Sequence, residues 1–234
     1  MPIARNIKVN TGGNFGSPKF DTGGCVLYAP LWRQDQAGSP FQSSGAYGRP
    51  THTCTVTGAV RTPQGRLFDG LDDKIAIPHA ASLMPATTLT LEGWVYNTDQ
   101  TAASEQTIVS KDNATNRSYF LEINNVTTTG KVKFKAGTVD TFNSNAGEVA
   151  LNTWYHLVGT HNGSAMKIYK NGVEIATVND TNAIGGNTQG VAIGDNEAYD
   201  LWFKGTIGEV RIYNRALTAL EVQRNYLVTK WRYN

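Results

Sequence analysis

Residues 154–177 read WYHLVGTHNGSAMKIYKNGVEIAT. Two runs of alternating apolar and polar residues flank Asn171-Gly172, and an Asn-Gly pair readily takes the positive φ angles of a two-residue hairpin turn. This stretch is therefore predicted to fold as a tight antiparallel hairpin, each strand turning one face to a core. The same alternation recurs outward in both directions. Before it come LFDGLDDKIAIP (67–78), TLTLEGWVYN (88–97), TIVSKD (107–112), SYFLEIN (118–124) and GKVKFKAG (130–137); after it come GVAIGDN (190–196) and GTIGEVRIYN (205–214). Gly, Asn, Asp and Thr clusters separate these runs, as expected of many short strands.

The ends read differently. Gly12, Gly13, Gly16, Pro18, Gly23 and Gly24 break any regular element, which predicts an N-terminal arm over 1–24. CVLYAPLW (25–32) is the first strong strand. The polar, Gly-, Ser- and Pro-rich text from Arg33 to Gly65 predicts a long surface loop followed by the short strand CTVTG (54–58). After Asn214, RALTALEVQRNYL (215–227) places Leu217, Leu220 and Tyr226 on one helical face. Thr218 precedes Glu221 by three residues in a capping box, so one short C-terminal helix is expected. The closing VTKWRYN carries Trp231 and Tyr233, which either fold back on the strands or meet another chain; residues 227–234 are read as a tail.

Composition narrows the function classes. Of 234 residues, 40% are hydrophobic and 17% charged, enough apolar surface for one sizeable core and too little charge for a disordered chain. The formal charge is +2, from 21 basic and 19 acidic residues, with no basic-aromatic stripe to suit nucleic acid. No apolar run reaches the roughly 18 residues of a membrane helix. The opening MPIARNIKVNTGGNFG lacks the continuous apolar core of a secretory signal. Cys25 and Cys54 could form one bridge or stay two small buried hydrophobes.

The ordered blocks VLYAPL, GRLFDGLDDKIAIP, LTLEGWVYN, IVSKD, WYHLVGTHNGSAMKIYKNGVEI, VAIGDN and FKGTIGEVRIYNRALTALEV resemble the laminin-G-like jelly rolls of the concanavalin A-like lectin and glucanase superfamily. The resemblance spans about Cys25 to Tyr226. It implies an all-β fold: a two-sheet antiparallel jelly-roll β-sandwich over 25–226 with the short helix at its end. Trp94, Trp154, Tyr169, Ile212 and Tyr213 are expected to fill the space between the sheets. Asp69, in Phe68-Asp69-Gly70, is expected to bond neighbouring amides in a turn.

Hydrolases of this fold need two carboxylates flanking the scissile bond. The E-x-D-x-E pattern of laminarinase-like enzymes is missing; Glu92 and Glu122 stand alone on their strands, and the adjacent Asp72 and Asp73 would point opposite ways in a strand. No G-x-S-x-G elbow occurs, His52, His79, His156 and His161 are scattered, and the cysteines lack zinc spacing. The chain therefore reads as a non-catalytic binding module, and a glycoside hydrolase with two acids brought together from different strands is the remaining catalytic alternative. A lectin-like site combines a carboxylate, an amide and a ring, since hydroxyls pair with the first two and the apolar face of a pyranose stacks on the third. GDNEAYDLWF (194–203) brings together Asp195, Asn196, Tyr199, Asp200 and Trp202, and KDNATNR (111–117) adds Asp112, Asn113 and Asn116. The competing reading has Trp202 or Phe203 covering the core and the polar residues solvating a turn.

Calcium is a known companion of similar domains, held by loop oxygens. Where several relatives carry an acid in an IDEVRIY block, this chain has Gly208; Asp112, Asn113 and Asn116 would be the remaining donors, and no metal or other cofactor is assigned. The expected ligand is a glycan or cell-surface group, without nucleic acid or membrane insertion. The expected setting is a virion surface or the outside of a cell. There the arm and tail would grip capsid, tail or fibre subunits, and a purely structural virion component is the alternative.

Overall fold

The computed structural model describes residues 20, 22–44, 51–99, 105–112, 117–124, 130–137, 141–145, 148–196 and 199–233. In chain order the strands are β1 (Cys25–Pro30), β2 (Phe41–Gln42), β3 (Thr53–Thr57), β4 (Val60–Thr62), β5 (Gly65–Asp69), β6 (Lys74–Ile77), β7 (Leu89–Asn97) and β8 (Glu105–Lys111). They continue with β9 (Tyr119–Asn124), β10 (Lys131–Ala136), β11 (Phe142–Asn143), β12 (Trp154–His161), β13 (Ala165–Lys170), β14 (Val173–Asn179), β15 (Val191–Ile193) and β16 (Lys204–Tyr213). Helix α1 spans Ala219–Thr229.

These strands form two antiparallel sheets. One runs β14-β13-β12-β7-β16-β5-β4, with β1 also on β16; the other runs β11-β10-β9-β8-β15-β6-β3-β2. The first carries α1 on its outer side and is called the helix-side sheet; the second is the open sheet. The fold is the expected jelly-roll sandwich with one short C-terminal α-helix. The hairpin forms as expected: β13 and β14 pair around Asn171 and Gly172, whose φ angles are 51° and 81°.

Alternation decides what lies between the sheets. Leu91, Val95, Leu157, Ile168, Ile207 and Ile212 face Ile108, Leu121, Ile123, Val132, Phe134 and Ile193 in one core. Two glycines set the spacing: a Cβ on Gly159 would stand 2.2 Å from the Phe134 ring, and one on Gly93 2.9 Å from Ile108.

The aromatic residues expected in this core divide. Ile212 lies there, but Tyr169 and Tyr213 belong to a second buried cluster with Tyr28, Val158, Leu217 and Val222, on the far side of the helix-side sheet. Trp94 joins them beneath α1, its Nε1 donating to Thr229 Oγ1 at 2.8 Å, and Trp154 is half-buried against Tyr233, ring centroids 4.7 Å apart. Helix α1 covers this face, which is therefore as dry as the interior.

The helix starts on the expected capping box, with the Thr218 side chain accepting from Glu221 N and the Glu221 carboxylate from Thr218 N. Its buried residues are Val222, Asn225 and Thr229; Leu217 is buried just before it, whereas Leu220 points into solvent. The expected apolar face is thus rotated, because Asn225 and Thr229 have partners in the sheet. Asn225 Nδ2 donates to Glu92 Oε2 at 2.9 Å and to Tyr213 Oη at 3.1 Å. Residues 227–233 finish the helix and a further turn, and Tyr233 stacks on Trp94 with centroids 4.4 Å apart. Cys25 and Cys54 are both buried, and no disulfide joins them.

Candidate functional site

The loop between β15 and β16 folds over the outer face of the open sheet. Gly194 lets it leave β15: its φ is 84°, and a Cβ there would stand 2.3 Å from the Phe68 ring. Asp195 then offers its carbonyl to Ser110 Oγ at 2.8 Å. Asn196 reaches down to the sheet, its Nδ2 3.1 Å from Glu122 Oε1 and 3.4 Å from Asp112 Oδ2. The Asn196 carbonyl accepts from the amides of Tyr199 and Asp200, turning the chain back. Leu201 O accepts from Thr107 N at 3.1 Å, and Phe203 plugs into the core.

The expected site residues thus meet, but in two layers. Asp112, Asp195 and Asn196 are buried, with no exposed side-chain area on either carboxylate. Tyr199 is 40% exposed, Asp200 is exposed with φ 54°, and Trp202 is half-buried beside the buried Phe203. Phe203 covers the core as the competing reading had it, while Trp202 remains at the surface. Asn113 and Asn116 lie outside the described residues.

Two cations complete the surface layer. The Arg117 guanidinium lies 4.4 Å from the Tyr199 ring, and Lys74 Nζ lies 5.8 Å from the Trp202 ring. Each also faces a buried acid, Arg117 with Asp112 at 3.9 Å and Lys74 with Asp195 at 3.7 Å. Neither cation stood out in the sequence. Arg117 closes the KDNATNR stretch, and Lys74 is two residues before Ala76 on β6, so the alternation of that strand was the available signal.

Two hollows flank the Asp112–Asn196 contact. The larger, about 210 Å³, has a floor of small side chains, Thr55, Ala76, Ala192 and Ser110, with Asp112 and Pro78 at its walls. The smaller, about 130 Å³, is lined by Glu105, Arg117, Glu122, Lys133, Asn196 and Tyr199. The two hollows lie in line on the face formed by β6, β15, β8 and β9, and are called the furrow.

Glu122 is the unusual acid beneath it. Thr107 Oγ1 and Asn196 Nδ2 donate to its Oε1 at 3.0 and 3.1 Å, while Lys133 sits 3.5 Å from Oε2 and closer, at 2.6 Å, to Glu105. Burial pushes the Glu122 carboxyl up to about 7, helped by the Glu105 charge and opposed by Lys133 and the two donors. At the sandwich end behind the furrow, burial lowers Lys111 to about 8; its ammonium meets Gln189 O and lies 3.2 Å from His79 Nδ1.

A second group of buried charges serves the helix side. Arg211, fully buried, bonds Glu92 and Glu209; Glu92 also lies 2.8 Å from His156 Nε2, which ties that histidine to the same buried cluster. Among the described residues, Asp69, Asp72 and Asp73 form a group of acids close enough to share a cation. Two of the three build the turn instead: Asp69 Oδ1 accepts from Leu71 N at 2.8 Å and Asp73 Oδ2 from Asp69 N at 2.9 Å. Asp69 is thus the turn former expected of it.

The order of strands and the motif blocks agree with a match over residues 68–223 to the family described as the concanavalin A-like lectin/glucanases superfamily. The chain belongs to this superfamily. A search of curated protein sequences finds no match. Solved structures of the same fold include Trypanosoma rangeli sialidase, at TM-score 0.67 and 17% identity over 91% of this chain and 34% of that one. The binding domain of Paraclostridial Mosquitocidal Protein 1 matches at 0.67 and 13% identity, over 87% of this chain and 52% of its own. Domain 4 of AbnA, a GH43 extracellular arabinanase from Geobacillus stearothermophilus, solved in complex with arabinotriose, matches at 0.65 and 19% identity, over 86% and 98%. This superfamily member therefore spans about a third of the sialidase chain and half of the toxin domain. At these identities the likeness is one of fold.

Proposed function

We propose that the chain is a non-catalytic module that binds a glycan through the furrow of its open sheet. The observation that carries this reading is the pairing of Tyr199 with Arg117, both lining the smaller hollow, and of Trp202 with Lys74 on the same loop and sheet. A sugar ring lays its C–H face on an aromatic ring and offers hydroxyls to polar neighbours; the exposed Asp200 lies between the two rings in the chain. Asp112, Asp195 and Asn196 then act as supports that hold the loop, because their side chains are beneath the surface.

The same burial argues against hydrolysis. A glycosidase acid must touch the glycosidic oxygen and its partner the anomeric carbon or a water, yet the Glu122, Asp112 and Asp195 side chains have no exposed area. The complex of the arabinanase domain with arabinotriose supports a saccharide as the ligand class. We extend the reading to display on the outside of a virion or cell, with neighbouring capsid, tail or fibre subunits away from the furrow.

The test is a glycan array with the full chain, with and without calcium, alongside Tyr199→Ala and Trp202→Ala. Specific binding that falls at least about tenfold in each variant, the effect of about 1.4 kcal/mol of lost stacking, is expected. Silence across the array from a folded sample would replace this reading with a structural assembly component.

A further inference from the structure

Helix α1 has a second, unused side. Leu220, Arg224 and Leu227 on α1 and Trp231 on the 3-10 turn that follows it come at steps of four, three and four residues, forming a stripe about 16 Å long on the side away from the buried Val222, Asn225 and Thr229. Leu220 is 77% exposed, Leu227 50% and Trp231 68%. An exposed tryptophan at the end of a row with two exposed leucines is unusual on a surface and is the residue type that anchors interfaces.

Trp231 is also held in place. Its Nε1 donates to Val228 O at 3.1 Å, and the Arg232 guanidinium lies 4.5 Å from its ring and 3.3 Å from that of Trp32. Gln64 Nε2 fixes Arg232 O at 3.2 Å, and Arg61 fixes Trp32 O at 2.8 Å. A ring ordered before contact loses little freedom on binding.

The charge around the stripe is mostly positive, since Glu221 beside Leu220 is taken up by Arg215 and the helix cap. Arg61, Arg224, Lys230 and Arg232 border it, and among the described residues none of the four forms an ion pair. Glu209, the acid beneath Trp32, is buried and engaged by Arg211, Tyr28 and Trp32.

We propose that this stripe docks an acidic amphipathic helix of another polypeptide. The two leucines favour protein over sugar, whose hydroxyls gain nothing from aliphatic side chains. A second copy of this chain would bring Arg224, Lys230 and Arg232 against themselves, a repulsion that selects a partner of opposite charge. The spacing of four, three and four is that of one helix laid along another. The inference does not depend on the glycan reading, since it concerns the opposite sheet.

The test uses the full chain and two fluorescein-labelled synthetic helices with leucine at heptad a and d positions, one with glutamate and one with lysine elsewhere. Leu227→Glu and Trp231→Ala change exposed side chains and keep the fold, checked by circular dichroism. The glutamate helix is expected to bind and to bind at least about tenfold more weakly to either variant, while the lysine helix does not bind. Equal binding of both helices, or of neither, would overturn the proposal. Heparin binding as tightly as the glutamate helix would overturn it in favour of an anionic polysaccharide. Self-association in sedimentation, abolished by Leu227→Glu, would overturn it in favour of a second copy.

Discussion

Gly208 has no side chain because Tyr233 occupies the place where one would lie. A Cβ there would stand 2.4 Å from Tyr233 Cε1, and the tyrosine ring can retreat only by giving up its packing against Trp94 and Trp154, at 4.4 and 4.7 Å. Gly208→Ala is therefore expected to lower stability by on the order of 1–3 kcal/mol, as overpacking does, with the loss read from thermal melts. Tryptophan fluorescence of the variant should shift red as Tyr233 leaves Trp94. The departure from the acid of similar domains was visible at this position in the sequence, but its cause was not, since Tyr233 is distant along the chain and meets Gly208 only after the chain folds back. Trp94, Tyr169 and Tyr213 teach the same lesson. Alternation tells which residues share a face, and it names the inner face only when the other is wet; here α1 dries both.

At the scale of the element, what was legible is what depends on neighbours in sequence. The turn at Asn171-Gly172 rests on backbone angles, and the start of α1 rests on Thr218 and Glu221 satisfying each other's amides. Thr218→Ala removes the acceptor of Glu221 N and is expected to cost about 1 kcal/mol, a fall of about 2–4 °C in Tm for a chain of this size. Thr218→Ser should retain most of the stability, and the comparison by calorimetry separates the cap from the lost methyl group. The loop of residues 194–203 was legible in a different degree. Its residue types pointed to a surface site, and its position between two strands is the one expected. Which of its side chains face solvent depended on Asn196 reaching Glu122 and Asp112, contacts between strands that alternation cannot supply.

Across the whole molecule, the two sheets carry buried acids of opposite character. Burial alone would raise the Glu92 carboxyl, but Arg211, His156 and Asn225 outweigh it and hold it at about 2, against an ordinary 4.5. Its contribution to stability is complete above pH 4.5 and is lost as pH falls toward 2. Glu122 runs the other way: raised to about 7 by burial, it favours the folded state fully below pH 4.5, and that contribution is lost as pH rises through 7. Each is on the order of 3 kcal/mol. The two limbs meet near pH 4.5, and Lys111, held at about 8, adds a rise in stability only as pH climbs above that value. Denaturant melts between pH 2 and 8 should therefore show maximal stability near pH 4.5 to 5 from these groups. Glu122→Gln keeps an acceptor for Thr107 and removes the titration, so it should flatten the limb between pH 4.5 and 7 and leave the acid limb intact. Hydrogen exchange assigns the limbs to places: acid should first release the amides of α1, which Asn225 ties to Glu92, and rising pH should first release those of residues 199–203, which Asn196 ties to Glu122. An unchanged limb between pH 4.5 and 7 in Glu122→Gln would mean that the carboxyl beneath the furrow is ionised in the folded protein, with Lys133 rather than burial governing it.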